Sequence, residues 1–136
     1  MKLVVDNTKK RPEAKMLKLG RTSWRVFKGG IYHRPNLVFA SKVCEAISYN
    51  WWTVVKKIKG KVVFNTYKFS KTTSIQQRQM RDLLQHLEIG IDYEIEAPEG
   101  LEQLKTAINY YESKIAKGKE VEQSKAKLKI CRKLAK

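Results

Sequence analysis

The stretch Trp51 to Ser70 holds the residue types best suited to chemistry on a ligand. Two β-rich runs meet at Lys59-Gly60-Lys61, which predicts a hairpin. A Gly60-Lys61 type II′ turn would pair Ile58 with Val63, Val54 with Tyr67 and Trp52 with Phe69, giving one coherent apolar face. The opposite face then carries Trp51, Thr53, Val55, Lys57, Lys59, Val62, Phe64, Thr66 and Lys68. Flat rings stack on unpaired bases and ammonium groups neutralise phosphates, so this composition suits single strands or RNA. The competing reading is that helices cover Trp51, Val55 and Phe64. Immediately downstream, Ser70-Lys71-Thr72-Thr73-Ser74 is a cationic, hydroxyl-rich loop entering a predicted helix N-terminus, where backbone N–H groups and the helix dipole favour an anion. The candidate nucleic-acid ligands are therefore Trp51, Lys56, Lys57, Lys59, Lys61, Phe64, Lys68, Lys71, Thr72, Thr73, Arg78 and Arg81, with Trp51 and Phe64 stacking and the cations meeting phosphates.

Catalytic patterns are missing from the sequence. His33 stands beside Arg34 and Pro35, His86 sits in a leucine-rich run, and neither has a partner at ligand spacing. The glycines form no phosphate-cradling loop or dinucleotide fingerprint, and the acids between Asp92 and Glu102 lack the Asp-x-Asp-Gly rhythm of a calcium loop. Cys44 and Cys131 lie in unrelated apolar settings, so free, partly buried thiols are expected rather than a disulfide or a metal site. The expectation is a protein without catalytic residues, metal or cofactor.

The charge distribution supports a polyanionic partner. The chain of 136 residues has a formal net charge of +16, and self-repulsion of that size favours neutralisation by a ligand. Residues 1–81 carry a net +16, residues 82–112 a net −7 and residues 113–136 a net +7. The acidic middle is expected to lie against a basic surface or to keep that region off the ligand. No apolar run reaches the roughly 18 residues of a membrane span. Leu3 to Val5 is a short apolar run followed by Asp6 and Lys9-Lys10-Arg11, so neither a leader nor membrane attachment is expected, and the cytoplasm is the expected location.

The elements that must position these residues read as an α+β fold: a small antiparallel β-sheet with a central hairpin packed on one helix, followed by a C-terminal helical pair. Residues 1–22 read as a basic arm or edge strand, 23–92 as the α+β core and 93–136 as a helical extension. Strands are expected at Ser23 to Lys28, Ile31 to Arg34 and Leu37 to Ala40, while Ser41 to Ile47 fits a strand or a short helix. Ser74 with Gln77 predicts a capping box, and Met80, Leu83, Leu84 and Leu87 recur at helical spacing up to Gly90. That stripe should meet the hairpin's inner face, leaving Gln76, Arg78 and Arg81 outside. Pro98 reads as the first helical position of a segment whose Leu101, Leu104, Ile108, Tyr111 and Ile115 follow 3-4 spacing. Residues 98–117 would serve the core or a homodimer. Lys119 to Lys136 reads as a basic amphipathic helix that folds back on its neighbour, lies along phosphates or frays.

Ser48-Tyr49, a strand, Gly60, a second strand and Tyr67-Lys68-Phe69-Ser70-Lys71-Thr72-Thr73-Ser74 together resemble a motif of small, largely uncharacterised bacteriophage- and plasmid-encoded proteins, over roughly 30 of the 136 residues. In that motif an aromatic-Ser-x-Thr-Thr run precedes a histidine; here Ile75, Gln76 and Gln77 occupy the region, so no role of that histidine carries over. The resemblance implies a phage or mobile-element origin and supplies no activity. Two functions follow as expectations: non-catalytic nucleic-acid binding, or a phage-type interaction that inhibits or redirects a host protein with an acidic surface.

Overall fold

In the computed structural model, which describes residues 15–135, eight strands succeed one another as neighbours in one sheet: Lys15–Leu19 (β1), Thr22–Phe27 (β2), Ile31–Arg34 (β3), Leu37–Ala40 (β4), Glu45–Ser48 (β5), Trp52–Ile58 (β6), Lys61–Asn65 (β7) and Tyr93–Ile95 (β8). Every pairing is antiparallel except β7 with β8, which is parallel. The helix Lys71–His86 (α1) makes that crossover, and Leu104–Ala116 (α2) and Val121–Ala135 (α3) follow as a packed pair. The fold is α+β. The part of the expected basic arm before Lys15 lies outside the described residues.

Two cores share the sheet. On one face Met80, Leu83 and Leu84 of α1 join Trp24, Leu37, Phe39, Ala46, Val55, Val62 and Phe64, with Leu17 and Leu19 of β1 at the margin. Seven strands at about 4.8 Å spacing would span nearly 30 Å if flat, against a helix about 10 Å wide, so the sheet must curl around α1. An irregularity between Ala46 and Ile47, whose partners are Val55 and Thr53, leaves Val54 as the extra residue of a bulge and helps that curl. On the other face Val63 and Ile95 meet Leu101, Ala107 and Tyr111 and then Leu128, Cys131 and Leu134 of α3. The 3-4 stripe of α2 packs within the chain, with Leu101 and Tyr111 buried and Leu104, Ile108 and Ile115 half-buried.

Several local expectations are corrected. The β6–β7 turn is Lys59-Gly60, not Gly60-Lys61. Both residues have positive φ, 52° and 78°, the type I′ geometry, and Ile58 pairs with Lys61 while Val55 pairs with Phe64. The register slips by two residues, so Val55, Lys57, Val62 and Phe64 still share one face, but it is this face and not the expected inner one that meets α1, with Trp52 and Val54 brought to it across the bulge while Ile58 and Val63 face the C-terminal helices. The strand ends at Asn65, so Phe69 has no strand partner. Helix α1 starts a turn early: Ser70 is the N-cap, and its capping box is with Thr73 rather than Ser74 with Gln77. It ends at His86 in a Schellman cap, with Ile89 N–H donating to the Leu84 carbonyl and Glu88 at φ 58° where glycine is usual. Gly118, at φ 73°, fills the same place after α2. Pro98 does not open α2. Residues 97–101 are held instead on β6, with Trp52 Nε1 donating to the Pro98 carbonyl and Leu101 N–H to the Thr53 carbonyl. The undecided stretch after Ser41 is a turn followed by β5.

Candidate nucleic-acid interface

Helix α1 begins beside the β5–β6 turn. Tyr49 and Asn50, both at positive φ, turn the chain there and hold Trp51 at the tip. From the other side, Tyr67 to Ser70 leads off the end of β7 into the helix. The two segments bring the Trp51 ring within 6.0 Å of Phe69, edge to face, and Phe69 lies 5.9 Å from Trp52. Trp52 is buried, whereas Trp51 and Phe69 are 48% and 54% exposed, so this is an aromatic platform open to solvent on a buried indole. Tyr49 and Ile75 are exposed nearby in the chain.

A polar framework fixes the platform. Asn65, fully buried, donates to the Thr53 and Ala97 carbonyls at 3.2 and 2.9 Å and accepts from the N–H groups of Tyr67 and Ala97, both at 3.0 Å. Gln77 donates to the carbonyls of Asn65 and Tyr67, and Gln76 accepts from Ser48 Oγ and donates to the Asn36 carbonyl. Gln76 was expected on the outside; it is buried because its amide ties α1 to two other segments at this end, at Ser48 and at Asn36.

The first turn of α1 has no carboxylate and starts with Lys71, which leaves the positive end of the dipole uncompensated. Lys68, Lys71, Thr72 and Arg78 are exposed here. Lys71, Ile75 and Arg78 share a helix face by their spacing. Trp51 also walls a cleft of about 470 Å³ whose other residues are Glu99, Glu102, Gln103 and Thr106. Those carboxylates repel phosphate, so a backbone approaching this end is confined to the side of Phe69, Lys68 and Lys71.

The remaining predicted ligands are placed elsewhere. Phe64 is fully buried against α1 and cannot stack on a base. Thr73 is buried in the capping box, with its hydroxyl donating to the Ser70 carbonyl and accepting from the Ser70 N–H. Arg81 lies 4.4 Å from the Phe64 ring centre and makes a two-pronged contact with Glu94 at 3.1 and 2.8 Å. Hydrogen bonding from Arg81 holds the Glu94 carboxyl below the usual range. Lys56 bridges Glu45 and Glu102 at 3.2 and 3.1 Å; burial pulls its ammonium down, but the two carboxylates outweigh burial and raise it overall. Phe64, Thr73, Arg81 and Lys56 are thus corrected from ligand contacts to structural groups. Lys57 and Lys61 are exposed at the opposite end of β6, and Lys59 donates to the Lys133 carbonyl at 3.4 Å. Seven residues of strand put that end about 20 Å from Trp51. The predicted hairpin face is two patches, not one.

Among the described residues no three His, Cys, Asp or Glu side chains are grouped to hold a metal ion, and no helix is long and apolar enough to cross a membrane. Phe69 is the ligand candidate that sequence reasoning missed. Its signal was available in Asn65, a poor strand former followed by a hydroxyl-rich run, which argued against extending the hairpin to Phe69. Compared with protein-family models, curated proteins and solved structures, the chain matches none.

Proposed function

We propose that this protein is a non-catalytic nucleic-acid-binding accessory protein that takes an unpaired segment of strand on the Trp51–Phe69 platform. Lys68, Lys71, Thr72 and the open first turn of α1 hold the adjoining phosphates. The observation that carries this reading is the exposed ring pair set directly before a carboxylate-free helix N-terminus. Stacking on the rings tolerates any base, and the cations supply a sequence-independent term that weakens with salt. A phage-encoded protein of this kind would act in the host cytoplasm.

The test is fluorescence anisotropy of nuclease-treated protein with a labelled single-stranded oligonucleotide over a salt series. Trp51→Ala should weaken binding by about 5- to 150-fold, the range for losing one stacked base, and Lys68→Gln with Lys71→Gln should lower the salt slope by about 1.4. Salt-independent binding, or binding indifferent to Trp51, rejects the proposal. The exposed Tyr49, Trp51, Phe69 and Ile75 favour, as a second reading, a host protein with an acidic surface; stoichiometric retention of one protein from nuclease-treated lysate, lost in Trp51→Ala, would select it.

A further inference from the structure

Helix α3 presents its own cationic surface, apart from the residues of the aromatic platform. Lys125, Lys129, Arg132 and Lys133 fall within an arc of about 100° around the helix and line, with Leu128, a shallow groove of about 500 Å³. Lys129 and Lys133 follow Lys125 at successive turns, about 6 Å apart along the axis. Arg132 alone of the four has an ion-pair partner among the described residues, Glu112 at 2.8 Å. Attraction to the helix C-terminus accounts for Arg132 and Lys133 in the last turn, but not for Lys125 and Lys129. The rest of α3 is anchored: Leu128 at the floor of the groove is buried, as are Ser124, Cys131 and Leu134 behind it, and Lys127 donates to the Glu94 carbonyl at 2.6 Å. The lysine row is therefore carried on a fixed rod. Lys59 of the β6–β7 turn donates to the Lys133 carbonyl, which brings the turn's lysines to the end of the same row.

We infer that the outward face of α3, continued by the β6–β7 turn, is a second site that tracks the phosphate backbone of the same nucleic acid. This rests on the function proposed above and adds where the rest of the strand runs. A membrane surface fits poorly, because the apolar side of α3 that would enter lipid is already covered by α2 and β8. A row of point charges without an exposed ring or amide on the same arc suits backbone rather than base edges. The Lys133 end of this row lies by the β6–β7 turn, about 20 Å along β6 from Trp51, so a stacked strand at 3.4 Å per nucleotide needs about six nucleotides to run from the platform to that end.

The experiment compares a 4-nucleotide and a 16-nucleotide single-stranded DNA, by anisotropy from 50 to 300 mM salt, with wild type, the triple variant Lys125→Gln/Lys129→Gln/Lys133→Gln, and Trp51→Ala/Phe69→Ala. For the 16-mer the triple variant should lower the log–log salt slope by about 2, while 4-mer binding stays unchanged. Replacing the same three lysines by arginine should preserve the slope. An unchanged 16-mer slope, or equal loss on both lengths, overturns the second site. The double aromatic variant reads the platform separately: if it binds the 4-mer normally, the platform fails while the α3 result still stands on its own.

Discussion

Replacing Asn65 by alanine should be among the most damaging single changes to this fold. The Asn65 amide uses all its capacity: both N–H groups donate, to Thr53 and Ala97 carbonyls, and the oxygen accepts from Tyr67 and Ala97 N–H groups. Asn65, Thr53 and Ala97 are all buried, so water cannot replace the lost partner. The N–H groups of Ala97 and Tyr67 would lose their acceptor, at about 1–3 kcal/mol each, while the Thr53 and Ala97 carbonyls lose one bond each but keep the N–H groups of Leu101 and Gly100; with partial relaxation around Tyr67 the total is roughly 3–5 kcal/mol. For a chain of 136 residues that corresponds to a fall in Tm of about 10–17 °C. Urea unfolding followed by tryptophan fluorescence should show a lower midpoint with an unchanged m value. Asn65→Asp should be worse at neutral pH, because a carboxylate would face two carbonyl oxygens, and should recover partly in acid, where the protonated group donates once. A loss below about 1 kcal/mol for Asn65→Ala would refute the reasoning, since it would mean that the strand end and the 97–101 segment do not depend on this amide. Because Asn65 also fixes Tyr67, the variant at temperatures where it remains folded should bind oligonucleotide more weakly through a loosened Phe69.

Glu88→Gly should stabilise the protein by about 0.5–1 kcal/mol, read as a rise in Tm, because glycine adopts the left-handed cap of α1 without a side-chain penalty. Gly100→Ala should cost at least about 2 kcal/mol: at φ +91° its Cβ would sit 2.9 Å from the Thr53 nitrogen, and the backbone there is held by Leu101 and Trp52. Ser70→Ala should cost about 1 kcal/mol in urea unfolding through loss of the capping box. Burial pushes the Cys131 thiol up to about 11 from an ordinary value of 9.0. The unfolded chain then loses this proton first, so stability is intact below about pH 8.5 and declines by roughly 2–3 kcal/mol as pH rises to 11. Cys131→Ala should flatten that alkaline decline relative to wild type, and an equally steep decline in the variant would refute the assignment.

Periodicity made the elements legible and their neighbours less so. Met80, Leu83 and Leu84 announced α1, and the apolar positions from Leu101 to Leu134 announced two helices, because one-sided burial leaves a 3.6-residue signature. The hairpin was visible, yet its exposed face was misread. Val54-Val55 and Val62-Val63-Phe64 are unbroken apolar runs, the pattern of strands covered on both faces, and Phe64 is covered by α1 while Val63 is covered by the C-terminal helices. The turn register depended on whether Lys59 accepts a left-handed backbone conformation, as the type I′ turn requires and the type II′ turn does not, which composition does not decide. Ser70 and Ser74 are equally good caps by type; the choice was made by Thr73, whose side chain completes the box one turn earlier. Trp51, Lys68, Lys71 and Thr72 stayed exposed where the reading placed them, but their partner ring was Phe69 because the chain leaves the sheet after Asn65.

The acidic middle of the chain explains why the basic surface divides. Glu94 engages Arg81, Glu96 and Glu120 engage Lys114, Glu112 engages Arg132, and Glu102 joins Glu45 around Lys56. These exposed or half-exposed pairs add little stability individually. Their larger effect is on the field: they cancel cations along a band that includes β8, α2 and the flank of Trp51, and leave the start of α1 on one side and the outward row of α3 on the other. A polyanion following the potential would therefore meet the protein at two places rather than along the hairpin. Reversing one such pair tests the division: Glu102→Lys would extend the positive field across the Trp51 cleft, raise affinity for a short oligonucleotide, and steepen its salt dependence by about 1.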